Sequence, residues 1–123
     1  DWAGEEREFQ RALQLDPGYA TGHIRYSSHL YMLGRFDEAI AEAKRAQDLD
    51  PTSLMGSYVL AYAYHFARRY DQASEQFRKT LAMDPNFPMA HQGLGEVYLL
   101  KSMYPEALAE LKAAVELSKG SPL

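Results

Sequence analysis

The stretch from Gly34 to Pro51 reads Gly-Arg-Phe-Asp-Glu-Ala-Ile-Ala-Glu-Ala-Lys-Arg-Ala-Gln-Asp-Leu-Asp-Pro, and its last two residues recur at a fixed distance. Asp16-Pro17, Asp50-Pro51 and Asp84-Pro85 are each 34 residues apart. A period of that length marks a chain made of stacked copies of one small unit. Every residue then has a column, and the column predicts whether it faces core, solvent or partner.

With units opening at Ala20, Leu54 and Pro88, the columns align without gaps. Column 20 holds Ala39, Ala73 and Ala107, and column 17 holds Phe36, Tyr70 and Tyr104. Column 24 holds Ala43, Phe77 and Leu111; column 27 holds Ala46, Thr80 and Ala114. Column 7 holds Tyr26, Leu60 and Leu94, and column 11 holds Leu30, Tyr64 and Tyr98. Apolar residues step by three and four, as in Tyr26, Leu30, Leu33 and in Ala73, Phe77, Leu81, so each unit reads as two amphipathic helices. Gly34 suits a left-handed stop to the first helix. Asp37 and Asp71 stand where an N-cap for the second is expected, and Pro105 replaces them in a position that tolerates Pro. Each Asp-Pro pair ends a second helix, because the residue before Pro is pushed out of helical geometry. Small residues in columns 20 and 27 let the helices approach, and larger ones in columns 7, 11 and 24 fill the gap.

These columns resemble the tetratricopeptide repeat, with its Trp-x2-Leu-Gly-x2-Tyr, Ala-x3-Phe and Pro pattern. The likeness covers nearly the whole chain. It departs at column 4, where His23, Ser57 and His91 replace Trp, and at column 8, where only Gly95 is Gly. The resemblance implies an all-α fold: a right-handed α-solenoid of helix-turn-helix repeats. Seven helices are expected, near 3–15, 20–33, 37–49, 54–67, 71–83, 88–101 and 105–118. Residues 1–19 read as the second helix of a preceding repeat, with Trp2, Phe9 and Ala12 in columns 17, 24 and 27. Repeats then span 20–53, 54–87 and 88–121, and 122–123 would open a further one, so the chain is expected to be part of a longer array.

Composition narrows the function. Of 123 residues, 46% are hydrophobic and 24% charged, which fits a folded domain and not a disordered one. A net charge of −4, with Arg68-Arg69 the one Arg-Arg pair and no basic run longer than two residues, argues against nucleic acid. There is no cysteine, hence no disulfide or thiolate metal site. No apolar run nears a membrane span and no signal peptide is visible, so no membrane partner and a cytoplasmic location are expected.

No reaction is legible. Ser27-Ser28-His29 places hydroxyls beside an imidazole, but helix neighbours point in different directions, and column 8 explains Ser27 as a small packing residue. His23 and His91 share column 4, no His pair has metal-binding i,i+4 spacing, and packing is the expected role. Glu5-Glu6 and Asp37-Glu38 open helices, where negative charge meets the positive end of the dipole. Glycines are scattered, so no phosphate-binding loop forms. The protein is expected to be no enzyme, with no cofactor.

The resemblance implies a concave face lined by the first helices through columns 2, 5, 6, 9, 12 and 13, a single stripe opposite columns 4, 7, 8 and 11. The first unit gives Thr21, Ile24, Arg25, Ser28, Tyr31 and Met32. The second gives Met55, Tyr58, Tyr62, His65 and Phe66; the third gives Met89, Gln92, Glu96, Leu99 and Leu100. Columns 2, 5 and 9 are expected to be more exposed than 12 and 13. The stripe is rich in Tyr and Met, which suit an apolar or amphipathic peptide segment. A clamp for a terminal carboxylate, as in some co-chaperone members of the family, would need several cations, and the stripe supplies Arg25 alone. The expected function is thus a non-catalytic scaffold for a protein or peptide partner. The alternatives are a regulatory sensor segment of a larger bacterial signalling or transcription protein, and end-to-end self-association through Trp2 and Phe9 at one end and Val115 and Leu117 at the other.

Overall fold

The computed structural model describes residues 1–120, and among them seven α-helices and no strand occur. They are α1 (Trp2–Leu15), α2 (Ala20–Met32), α3 (Phe36–Leu49), α4 (Leu54–Phe66), α5 (Tyr70–Met83), α6 (Pro88–Leu100) and α7 (Tyr104–Ser118). The chain is all-α, an α-solenoid. The expected opening of a further repeat at 122–123 lies outside the described residues.

The three helices α2, α4 and α6 stop one residue short of expectation, because a left-handed residue follows each of them two positions on. Gly34 takes φ 80°, and the same column holds Arg68 at φ 62° and Ser102 at φ 60°. The next helices then start one residue early, with Arg35, Arg69 and Met103 at the N-cap and no side-chain cap. Asp37 and Asp71 are therefore not caps: each is the second helical residue, inside the first turn. There they meet the helix dipole and reach across units, Asp37 to Arg69 at 2.8 Å and Asp71 to Lys101 at 2.6 Å. The Lys101 ammonium holds the Asp71 carboxyl below its ordinary value. Ser53 does cap: its hydroxyl accepts from the Gly56 N–H at 3.0 Å. Asp16, Asp50 and Asp84 leave helical geometry in the same way at the ends of α1, α3 and α5.

Helices pair as α2 with α3, α4 with α5 and α6 with α7, while α2, α4 and α6 adjoin one another along one side. Ala39, Ala73 and Ala107 are fully buried, with Leu30, Phe77, Leu94 and Val97 beside them in one continuous core. Close approach at column 20 is visible in two pairs. Ser27 donates to the Ala39 carbonyl at 2.7 Å, and a Cβ on Gly95 would lie 3.3 Å from the Ala107 carbonyl. Column 4 meets column 23. His23 bridges Glu42 at 2.5 Å and the Pro17 carbonyl at 2.8 Å; His91 bridges Glu110 at 2.6 Å and the Pro85 carbonyl at 2.7 Å. In the middle pair Ser57 accepts instead from Gln76 at 3.0 Å and bonds Thr80 at 2.7 Å. All of these column 4 side chains are buried.

Candidate functional site

The stripe of columns runs along α2, α4 and α6, and the structure divides it into three parts. At one end, Thr21, Ile24, Arg25 and Ser28 of α2 join Met55 of α4 around a trough of 720 Å³. Its other wall is α1, through Trp2, Glu5 and Phe9. Ser28 spends its hydroxyl on the Ile24 carbonyl at 3.3 Å. Arg25 stays exposed and makes no ion pair among the described residues. His29, one residue from the stripe, is buried against the rings of Trp2 and Phe9 at 5.6 and 5.4 Å. Its Nδ1 lies 3.6 Å from Glu5, and its Nε2 has no hydrogen-bond partner among the described residues.

The middle is a ladder of rings. Tyr31 stacks on Phe66 at 5.0 Å, Phe66 adjoins Tyr62 at 5.8 Å, Tyr62 meets Tyr58 edge-on at 4.9 Å, and Tyr58 meets Phe87 at 5.2 Å. Phe77, from the core, supports both tyrosines from beneath. Tyr31, Tyr58 and Tyr62 are half-buried, so each is wall and core at once. Burial pushes both the Tyr58 and Tyr62 phenols above their ordinary value, and the nearby Glu96 charge adds to it.

The third part is polar. His65 faces Glu96 at 3.3 Å, and Gln92 donates to the same carboxylate at 3.2 Å. Gln92 and Glu96 also edge a second hollow, of 410 Å³, against Leu111 and Val115 of α7. Met89, three residues before Gln92 on α6, is exposed. The expected order of exposure fails in one column: column 13 is exposed in all three units, as column 2 is, with Met32 at 66%, Phe66 at 41% and Leu100 at 55%. It lies at the last turn of each first helix, where the chain swings away to the next one and leaves that side uncovered.

Among the described residues no three metal-ligating side chains come together. No helix among the described residues is long and apolar enough to cross a membrane. Sequence reasoning overlooked α1 as a wall of the site. Trp2 and Phe9 read from the sequence as packing columns and as one end open to self-association, not as a wall of the stripe. It also overlooked His29, whose column holds Ala63 and Val97 in the other units, both buried. That break in pattern was the available signal.

A family model described as tetratricopeptide repeat matches residues 6–53 and 58–122. The chain belongs to the tetratricopeptide repeat family. Comparison with the curated proteins found no match. Among solved structures, this tetratricopeptide repeat chain superposes on MamA from Desulfovibrio magneticus RS-1 (residue 41 to the end) with a TM-score of 0.87 at 21% identity, covering 98% of this chain and 68% of that one. A MamA RS-1 double mutant gives 0.85 at 21% identity, with coverage of 98% and 67%. A further MamA crystal structure gives 0.83 at 25%, with 96% and 64%. The chain thus spans about two thirds of the length of these neighbours. Their likeness carries the solenoid fold, and the family is one of protein-interaction scaffolds.

Proposed function

We propose that this tetratricopeptide array is a non-catalytic interaction module whose stripe takes an apolar or amphipathic segment of a partner protein. The ring ladder from Tyr31 to Phe87 carries this reading. It is a continuous aromatic surface rimmed by the exposed Met55, Phe66 and Met89. Tyr joins an apolar body to a polar tip, and Met adapts to irregular shapes, which is the composition of binding surfaces. Arg25 at one end and Glu96 at the other give the stripe a direction, so a bound segment is expected to place acid near the first and base near the second. Thr21, Ile24, Ser28, His65 and Gln92 fill out the polar and apolar rim.

The test is binding of a peptide array by wild type and by two variants. Tyr58→Ala with Tyr62→Ala removes the ladder but also core contacts, so Phe66→Asp with Met89→Asp supplies a second variant confined to exposed side chains. Both pairs are expected to weaken binding by at least tenfold, about 1.4 kcal/mol. Binding that survives both pairs, with helicity intact, places the partner on another face.

A further inference from the structure

The middle of the stripe is enclosed on both sides, because α4 has α2 as one neighbour and α6 as the other. What α4 leaves open there is therefore open with its neighbours in place. Phe66 is the exposed ring of this part, stacked on Tyr31 of α2 at 5.0 Å and on His65 at 5.5 Å. His65 reaches Glu96 of α6 at 3.3 Å. Three successive first helices thus bring ring faces and one carboxylate to the same place.

Glu96 has few partners for a carboxylate. Among the described residues, His65 meets Oε2 at 3.3 Å and Gln92 donates to Oε1 at 3.2 Å. Both bonds are long, and each oxygen keeps a free lone pair. No Lys or Arg among the described residues pairs with it: Lys101, five residues on, is spent on Asp71, and Arg69 on Asp37. Burial raises the Tyr58 and Tyr62 phenols first, and the Glu96 charge adds to both, so its field extends over the rings. The ring faces are themselves negative. Column 9 is Ser28 and Tyr62 in the other units, so this charge is set once along the stripe and marks one register.

The place therefore suits a cation with an apolar stem, and its shape separates the two natural ones. One free position on each Glu96 oxygen matches a planar fork of two N–H donors, and an exposed ring matches a flat, weakly hydrated cation. Arginine supplies both, whereas lysine brings a compact, strongly hydrated point charge. We propose that Glu96 and Phe66 form a seat for an arginine side chain of the partner segment, with the guanidinium on the carboxylate and the stem across the ring. This deepens the reading of the stripe as a partner-binding face, and rests on it for the source of the arginine.

The probes are arginine blocked at both ends, as its N-acetyl amide, and citrulline blocked in the same way, which keeps the shape and loses the charge. Ring signals of the whole chain are followed by NMR as each is added. Blocked arginine is expected to shift the Phe66 and His65 signals, saturating at roughly millimolar concentration, and to bind about fivefold more tightly than blocked citrulline. In the Glu96→Gln chain the two are expected to fall within about twofold of each other. Glu8→Gln, which removes an exposed carboxylate of α1, is expected to leave the preference intact. The proposal is overturned if citrulline binds as well as arginine, or if the preference persists in the Glu96→Gln chain. The peptide array fails separately: if no peptide binds while blocked arginine still tells wild type from Glu96→Gln, the wider reading falls and the arginine seat stands.

Discussion

His23 and Glu42 show what a buried polar pair does in this array. Imidazole, carboxylate and the Pro17 carbonyl satisfy one another out of water, and His91, Glu110 and Pro85 repeat the arrangement. Ser57, Gln76 and Thr80 solve the same problem without an ionisable group. Removing one member leaves the others unpaired, which costs about 1–3 kcal/mol. Glu42→Ala is expected to lower stability by that amount in denaturant titration. The triple change His23→Ser, Glu42→Gln, Ala46→Thr copies the middle unit and is expected to lose clearly less. Tyr58 and Tyr62 give a pH prediction. Their phenols are raised in the folded state, so the stability they contribute is complete below the ordinary value of 10.0 and is lost as pH rises through the folded values. Absorbance titration of the phenolate is expected to show a late-ionising class of tyrosine, and Tyr58→Phe with Tyr62→Phe to remove it.

At the scale of helices and turns, the left-handed column is the informative one. Gly34 occupies it without cost, whereas Arg68 and Ser102 pay for a Cβ in that region, on the order of 1 kcal/mol. Arg68→Gly is expected to leave stability unchanged or raise it by up to roughly 1 kcal/mol, the gain being offset by the entropy of Gly in the unfolded chain. Gly34→Ala is expected to lower it by about 1 kcal/mol, both read from thermal unfolding. The helices themselves were legible, because three copies of Asp-Pro and the columns of Ala39, Ala73 and Ala107 fix the same boundaries independently. What was misread were the starts of α3 and α5. Asp37 and Asp71 have good capping chemistry, but the preceding left-handed turn delivers Arg35 and Arg69 to the cap and carries the acids inside the helix. Spacing shows that columns 2, 5, 9 and 13 share one side of a helix, but their choice as the concave face came from the family resemblance. The trough was not legible, because it depends on how α1 packs beside α2, a fact of the neighbourhood and not of any residue.

Across the whole molecule, contacts run only between helices that are neighbours along the solenoid, so stability is close to a sum of local pairings. α1 is the lightest of these, packed on α2 and tied by Glu6, which meets Arg35 at 2.7 Å and Tyr26 at 3.0 Å. Bonds from Arg35 and then Tyr26 hold the Glu6 carboxyl below its ordinary value of 4.5. A lowered acid stabilises the fold above that value and loses its contribution as pH falls through the folded one. Amide exchange is therefore expected to be faster in α1 than in α4, and acidification below about pH 4.5 to widen the gap; Arg35→Gln is expected to remove the pH-dependent part. The same neighbour-only wiring has a mechanical side. With no strut joining distant helices, a pull on the two ends is borne in series, one pair after another. The molecule would lengthen in small steps, α1 first, and behave as a soft spring long before it unravels.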